Sequence, residues 1–341
     1  MSISYENHIH NMVDLHLSND SGSKYWSDRT KDGWTKDVVE RWFLEGVPPK
    51  NYLQLEEDLR ILPVESFIPR KIERKEIVGV YESGGTTGVP KRVVLGNSWM
   101  NEILAWSANK MINLGHQPGR NWLVAVPSGP HVVGELAINA AYNENALAFR
   151  IDIDPRWAKS ATRFGGSSDG YSTHLASQVA EILRTQNIGC IVTTPPILLK
   201  LARNHDLVSI INNNRITIRW GGLPFDKESQ EYMKKNVFPN TPFFGVLGNT
   251  MTLGFGIQCV DSNDKIPAFE FYSPYNKAMI YDSNSDQFVL DGNGRIAYSH
   301  ASATHLYPPI PDRDSGQVSK GKFIRLEEGH LTKGDTSNGV Y

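Results

Sequence analysis

Apolar residues recur along the chain in two rhythms. In Lys36–Glu45 the residues Val38, Val39, Trp42 and Phe43 fall on one helical face, and Asn97–Leu114 repeats the spacing with Trp99, Ile103, Trp106 and Met111. Each predicts a helix with a buried stripe. Around them lie short apolar runs bounded by Gly, Pro, Asn and Asp: Ile77–Tyr81, Arg92–Leu95, Asn121–Pro127, Ala146–Asp154, Ile188–Thr194, Ile216–Trp220 and Phe243–Leu247. These predict strands. Helices are expected up to about Tyr142, over Thr173–Thr185, from Pro195 to Ala202 with proline in the first turn, and over about Asp226–Lys235. Such alternation predicts doubly wound α/β layers. Residues 1–30 read as loosely structured. From 268 to 327 short strands, Phe269–Tyr272, Lys277–Tyr281, Gly294–Ser299 and Lys322–Leu326, are separated by Asn/Asp/Gly/Ser turns.

The chain has 341 residues, more than one core usually serves, so two or three subdomains are expected. A net charge of −2 with both signs interspersed points away from nucleic acid and membrane surfaces as partners. Met1–Leu17 is polar, carries three histidines and lacks the apolar core of a signal peptide, and no later run approaches a membrane span. Location in the cytoplasm is the default expectation. Cys190 and Cys259 have no metal or redox spacing. Cys190, in an apolar run, reads as a core thiol.

The stretch Ser83-Gly84-Gly85-Thr86-Thr87-Gly88-Val89-Pro90-Lys91 is too rich in glycine and hydroxyls for a helix or strand interior. A hairpin turn is the plain reading, but a tight turn needs only about two to five residues. The glycines allow close backbone approach, Ser83, Thr86 and Thr87 offer hydroxyls, and Lys91 adds a point charge, an inventory that suits a polyphosphate. The common P-loop needs Lys directly after Gly and a hydroxyl after Lys, whereas Lys91 follows Pro90 and precedes Arg92.

That order of residues resembles the phosphate loop of the adenylate-forming superfamily of acyl-CoA synthetases, aryl-CoA ligases, adenylation domains and luciferases. The segment Leu55–Val64 is similar to the one preceding the loop in the phenylacetate-CoA ligase and acyl-protein synthetase branches. Further matches follow in order: Pro127, His131 and Gly134 look like the Pro-x-x-x-His-x-x-Gly signature at the acyl pocket, and Gly221-Gly222-Leu223-Pro224 resembles the Gly-Gly-x-Pro adenine slot. Gly248-Asn249-Thr250-Met251 resembles Gly-x-Thr-Glu, and Pro309–Val318 is similar to Gly-Asp-x-Gly-Arg.

The resemblance implies the superfamily's large N-terminal domain, with mostly parallel layered sheets and helices over 1–266 and a small distorted β-barrel over 267–341. It implies ATP/AMP as cofactor. Ser83, Gly84, Gly85, Thr86, Thr87, Gly88 and Lys91 would hold phosphates. Thr250, with Gly248 and Asn249, would meet the α-phosphate, Gly221, Gly222 and Leu223 would line the adenine slot, and His131 would face the acyl group. Aligning on the glycine after the aspartate places Asp314, rather than Asp312, on the ribose, where a carboxylate can accept from both hydroxyls. His131 also reads simply as a helix-start histidine bonded to backbone. None of residues 128–134 is acidic, which disfavours an amino-acid substrate.

One departure matters. Met251 stands where the superfamily has its Mg²⁺-holding glutamate, and a thioether does not ligate a hard cation. Either metal binding is relocated or ATP activation is impaired, and no metal ligand is assigned. Asp152 and Asp154 could share one strand face, but a solvated strand end accounts for them. The glycine-rich stretch Gly165–Gly170 reads as a connector. The superfamily's mobile C-terminal domain is expected to be absent, and losing its lysine would cost about a hundred- to thousandfold in rate unless a partner chain supplied it. The leading expectation is a ligase that activates an acyl or aryl carboxylic acid with ATP, for transfer to CoA, a carrier protein or a thiol. ATP-independent acyl transfer on the same fold, or a non-catalytic nucleotide- or acyl-binding role, are the alternatives.

Overall fold

The computed structural model describes residues 4–84, 88–158, 168–259 and 268–327. They form two units, one from residues 104–248 and one from 4–103 with 249–327.

In the 104–248 unit a parallel sheet runs β7 (Phe243–Asn249), β6 (Thr217–Gly221), β5 (Ile188–Thr193), β3 (Asn121–Ala125), β4 (Ala148–Arg150). Every residue of β5 and β6 is buried, as expected where helices cover both faces and strands read as continuous apolar runs. Cys190 lies within β5, fully buried, and burial pushes its thiol up, in keeping with a core role. Near the amino ends of the strands, His116 bonds Thr217 Oγ1 at 2.9 Å through Nδ1 and Glu144 at 3.0 Å through Nε2, and the Trp122 indole donates to Glu144 at 3.2 Å. That buried group of four is hydrogen-bonded among itself at the amino ends of the strands, and it reads as structural.

The other unit is built on an antiparallel sheet ordered β11 (Gln287–Val289), β10 (Asn276–Asp282), β12 (Gly292–Ser302), β13 (His305–Ser319), β14 (Phe323–Leu326), β9 (Phe269–Glu270), β8 (Gly254–Gln258). A separate hairpin pairs β1 (Ile77–Glu82) with β2 (Arg92–Gly96). Helices α1 (Tyr5–Leu17), α2 (Lys24–Lys31), α3 (Lys36–Glu45) and α4 (Gln54–Ile61) belong to it. α3 buries Val39, Trp42 and Phe43, and the Trp42 indole donates to the Pro309 carbonyl of β13 at 2.9 Å. From there an aromatic chain runs Trp34–Trp42–Tyr52–Phe288, with centroids 5.7 to 5.9 Å apart, the edge-to-face spacing that aromatic cores favour.

Three expectations are corrected. Residues 4–30 of the stretch expected to be loose are not loose: α1 and α2 occupy most of them, because α1 buries His8 and His16 beside Ile9, Val13 and Leu17, and a stripe that includes histidines looks polar on paper. β13 runs through Pro308, Pro309 and Pro311, where prolines had masked a strand. It tolerates them because its register against β12 shifts between Tyr298 and His300 and again between Arg295 and Ala297, and such bulges need no ladder donor. The expected strand at Ala146–Asp154 shrinks to Ala148–Arg150, since Asp154 instead accepts from the backbone N–H of Arg156 and Trp157 at 2.9 and 3.0 Å.

Candidate functional site

The glycine-rich loop is the connection of the β1–β2 hairpin, as its plain reading has it. Its ends are closed by the Ser83 N–H donating to the Lys91 carbonyl at 3.0 Å and the Lys91 N–H donating to Ser83 Oγ at 2.9 Å. Gly84 and Gly88 are exposed, and Gly88 has φ +133°, a conformation suited to glycine. Gly85, Thr86 and Thr87 lie outside the described residues. The Lys91 ammonium contacts the Glu56 carboxylate of α4. The Tyr307 hydroxyl donates to the same Glu56 oxygen at 3.2 Å. Sequence reasoning marked the segment around Glu56 but gave neither Glu56 nor Tyr307 a role at the loop.

Strand β13 links this hairpin to the other elements of its unit. His305 Nε2 donates to the Met251 carbonyl at 3.0 Å, Tyr307 meets Glu56, and Asp312 accepts from the Asn249 amide at 2.7 Å. Asn249 in turn accepts from the Met251 N–H at 2.8 Å, which turns the chain sharply and leaves Thr250 half-buried. Asp312 also takes the Arg313 N–H at 2.6 Å, so both its oxygens are engaged. Asp314 accepts from the Tyr298 hydroxyl at 3.0 Å through Oδ2. Burial, then the neighbouring Asp312, raises the Asp314 carboxyl above the usual carboxylate range.

In the 104–248 unit, β3 empties into the turn that carries His131, which is buried and starts helix α6 (Val132–Asn143); α5 (Asn97–Asn113) precedes β3. Gly134 is required there, because a Cβ would meet the Pro127 carbonyl oxygen at 2.5 Å and Ser128 Cα at 2.8 Å. That close approach explains why Pro127 and Gly134 frame the histidine. Gly221 presses on Val246 in the same way, a Cβ there falling 2.7 Å from its carbonyl oxygen, and Gly222 has φ +83°. Leu223 is half-buried and Gly248 exposed at the end of β7.

A row across the carboxyl ends of this sheet went unrecognised in the sequence. Ala125, Thr193, Trp220 and Gly245 are successive register partners, and the Trp220 ring lies over Gly245, whose Cβ would come 2.5 Å from it. Thr193 Oγ1 and Trp220 Nε1 are buried without a hydrogen-bond partner among the described residues. Ligands in open α/β sheets bind beyond the carboxyl ends of strands.

A metal does not fit at Met251. Its side chain is 3% exposed, and among the described residues no group of three or more His, Cys, Asp or Glu could hold an ion. No helix among them is long and apolar enough to cross a membrane.

No protein-family model matches the chain, and neither does any curated protein. Solved structures do. A 2-hydroxyisobutyryl-CoA ligase in an open conformation, in complex with 2-HIB-AMP and CoA, superposes with TM-score 0.63 at 13% identity, over 94% of this chain and 67% of that one. The same ligase with 2-HIB-AMP in the postadenylation state gives 0.62, over 94% and 65%. ATP-bound MatB from Rhodopseudomonas palustris gives 0.50 at 12% identity, over 77% and 50%. The chain therefore spans about two thirds of the length of the ligase it superposes on. The fold is that of the large N-terminal domain of adenylate-forming enzymes.

Proposed function

We propose that the chain binds ATP and activates a carboxylic acid as an acyl-adenylate, for transfer to CoA, an acyl carrier protein or another thiol. One observation carries this reading: the Asn249–Asp312 hydrogen bond, 63 residues apart in sequence, joins the Gly-Asn-Thr element to the aspartate strand. An α-phosphate contact and a ribose contact need that adjacency, and the same strand reaches the phosphate loop through Tyr307 and Glu56. The matched folds, solved with ATP or an acyl-AMP, support it.

In this reading the carboxylate oxygen attacks the α-phosphorus, the P–O bond to the leaving pyrophosphate breaks, and a mixed anhydride forms. Lys91, Ser83, Thr86 and Thr87 hold the phosphates, and Thr250 bonds the α-phosphate. Asp314 takes the ribose: Asp312 already accepts at both oxygens, whereas Asp314 accepts from Tyr298 at Oδ2. Gly221, Gly222 and Leu223 line the adenine, and His131 orients the acid. Because Met251 offers no hard ligand, no step is assigned to a metal.

The test is calorimetric titration with ATP and with AMP of the wild type, Asp314→Asn and Asp312→Asn, followed by a screen of carboxylic acids for pyrophosphate release. Wild-type binding, lost or weakened at least about tenfold in Asp314→Asn, is the expected result, a change of about 1.4 kcal/mol. If the wild type binds neither nucleotide, the adenylation reading falls. ATP-independent acyl transfer, which the buried Met251 favours, then replaces it.

A further inference from the structure

We infer that Glu56 is a built-in competitor for the Lys91 ammonium, a contact that a nucleotide polyphosphate has to displace. The inference rests on the nucleotide reading above and concerns residues to which that reading gives no role. Lys91 is anchored at its backbone by the two hydrogen bonds to Ser83, so the side chain is the part free to change partners. It is spent on Glu56, with the two side chains 14% and 23% exposed, close enough to water for an anion to reach them.

Glu56 is also held by Tyr307, which bonds the same carboxylate oxygen that meets Lys91. Tyr307 is buried, and burial followed by the nearby Glu56 charge raises its phenol well above the ordinary value, so it stays a donor to the Glu56 carboxylate. When a phosphate takes Lys91, Glu56 keeps the Tyr307 hydrogen bond and need not become an unpaired buried charge. The exchange therefore has two satisfied end states.

The neighbouring charges point the same way. Arg60 pairs with Glu57 at 3.4 Å and also donates to the Val89 carbonyl of the loop, and Arg92 pairs with Glu82 at 3.0 Å. Each cation at the base of the loop is answered by a carboxylate, and Lys91–Glu56 is the pair that touches the loop's own lysine. A loop neutralised in this way attracts a monophosphate weakly and yields to a ligand carrying several negative charges, for which the ammonium is the better partner.

The experiment titrates ATP and AMP into wild type, Glu56→Gln, Lys91→Ala and the double variant, with far-UV circular dichroism confirming that each is folded. Glu56→Gln preserves shape and an acceptor for Tyr307 while removing the competing charge. ATP should bind about three- to tenfold more tightly to Glu56→Gln, the scale of one charge-assisted contact, while AMP affinity changes by less than about twofold. The gain should vanish in the Lys91→Ala background, the coupling that a double-mutant cycle isolates. The inference is overturned if Glu56→Gln weakens or leaves unchanged the binding of ATP, tightens AMP equally, or keeps its gain without Lys91. A wild type that binds AMP, with ATP affinity indifferent to Glu56→Gln, loses this inference and keeps the nucleotide reading. If neither wild type nor Glu56→Gln binds either nucleotide, both fall.

Discussion

His16 Nε2 lies 2.8 Å from the carbonyl oxygen of Ser302, so a fully buried imidazole fastens α1 to the turn between β12 and β13. His300 sits beside it, 2.7 Å from Asn276 Oδ1 and 2.8 Å from Ser302 Oγ, and His305 stacks on His300 with centroids 5.6 Å apart. His8 completes the group at 2.8 Å from the Ala301 carbonyl. Burial lowers every one of these imidazoles, His16 to about 4, His305 to about 3, and His300 well below 6.5, with neighbouring imidazoles adding to the effect on the last two.

The sign of the resulting pH dependence follows directly. A histidine whose folded pKa lies below its unfolded value binds fewer protons when folded, so its stabilisation is complete above about pH 6.5 and is lost as pH falls toward 4. For His16 alone the loss by pH 4 is on the order of 3 kcal/mol. Urea denaturation at pH 7.5 and 4.5 should show this drop, and His16→Asn should flatten it. A stability unchanged over that interval would mean the imidazoles are not held neutral.

Gly134→Ala inserts a methyl 2.5 Å from the Pro127 carbonyl oxygen. Helix propensity favours alanine by about 1 kcal/mol, and the steric conflict opposes it by about 1–3 kcal/mol. Net destabilisation is expected, with faster hydrogen exchange at the amides of the His131 turn. Unaltered exchange together with a higher melting temperature would show that the turn yields freely and that Gly134 is dispensable.

Met251→Glu restores the residue of the resembling motif, yet the position is buried. An unpaired carboxylate placed there should cost about 3 kcal/mol, read as a lower denaturation midpoint at pH 8, with part of the loss regained at pH 5 where the group protonates. Millimolar Mg²⁺ should not recover it. Recovery with Mg²⁺ would mean that the position does open onto a metal site.

Much of the architecture was legible because its signals are local. α3 and α5 came from apolar spacing, the buried strands β3, β5, β6 and β7 from short apolar runs, and the loop between β1 and β2 from glycine and hydroxyl content. α1 escaped because its buried face includes His8 and His16, whose Nε2 atoms meet carbonyls nearly 300 residues away, at separations of 293 and 286. β13 escaped because proline argues against a strand unless the strand bulges there, and where β13 bulges is set by its register against β12, which β13's own letters do not show.

The candidate site divides the same way. Residue type and order alone indicated a loop for phosphate in Ser83–Lys91, a helix-start histidine framed by Pro127 and Gly134, and an aspartate pair at Asp312 and Asp314, since each is a short-range pattern of backbone freedom and charge. Which charge meets which was decided by the tertiary structure. Lys91 faces Glu56, Glu56 faces Tyr307 across 251 residues, and Asp312 rather than Asp314 takes Asn249. Side-chain pairing of that kind depends on how distant strands and helices come to rest against one another, and packing sets those distances only once the whole chain has folded.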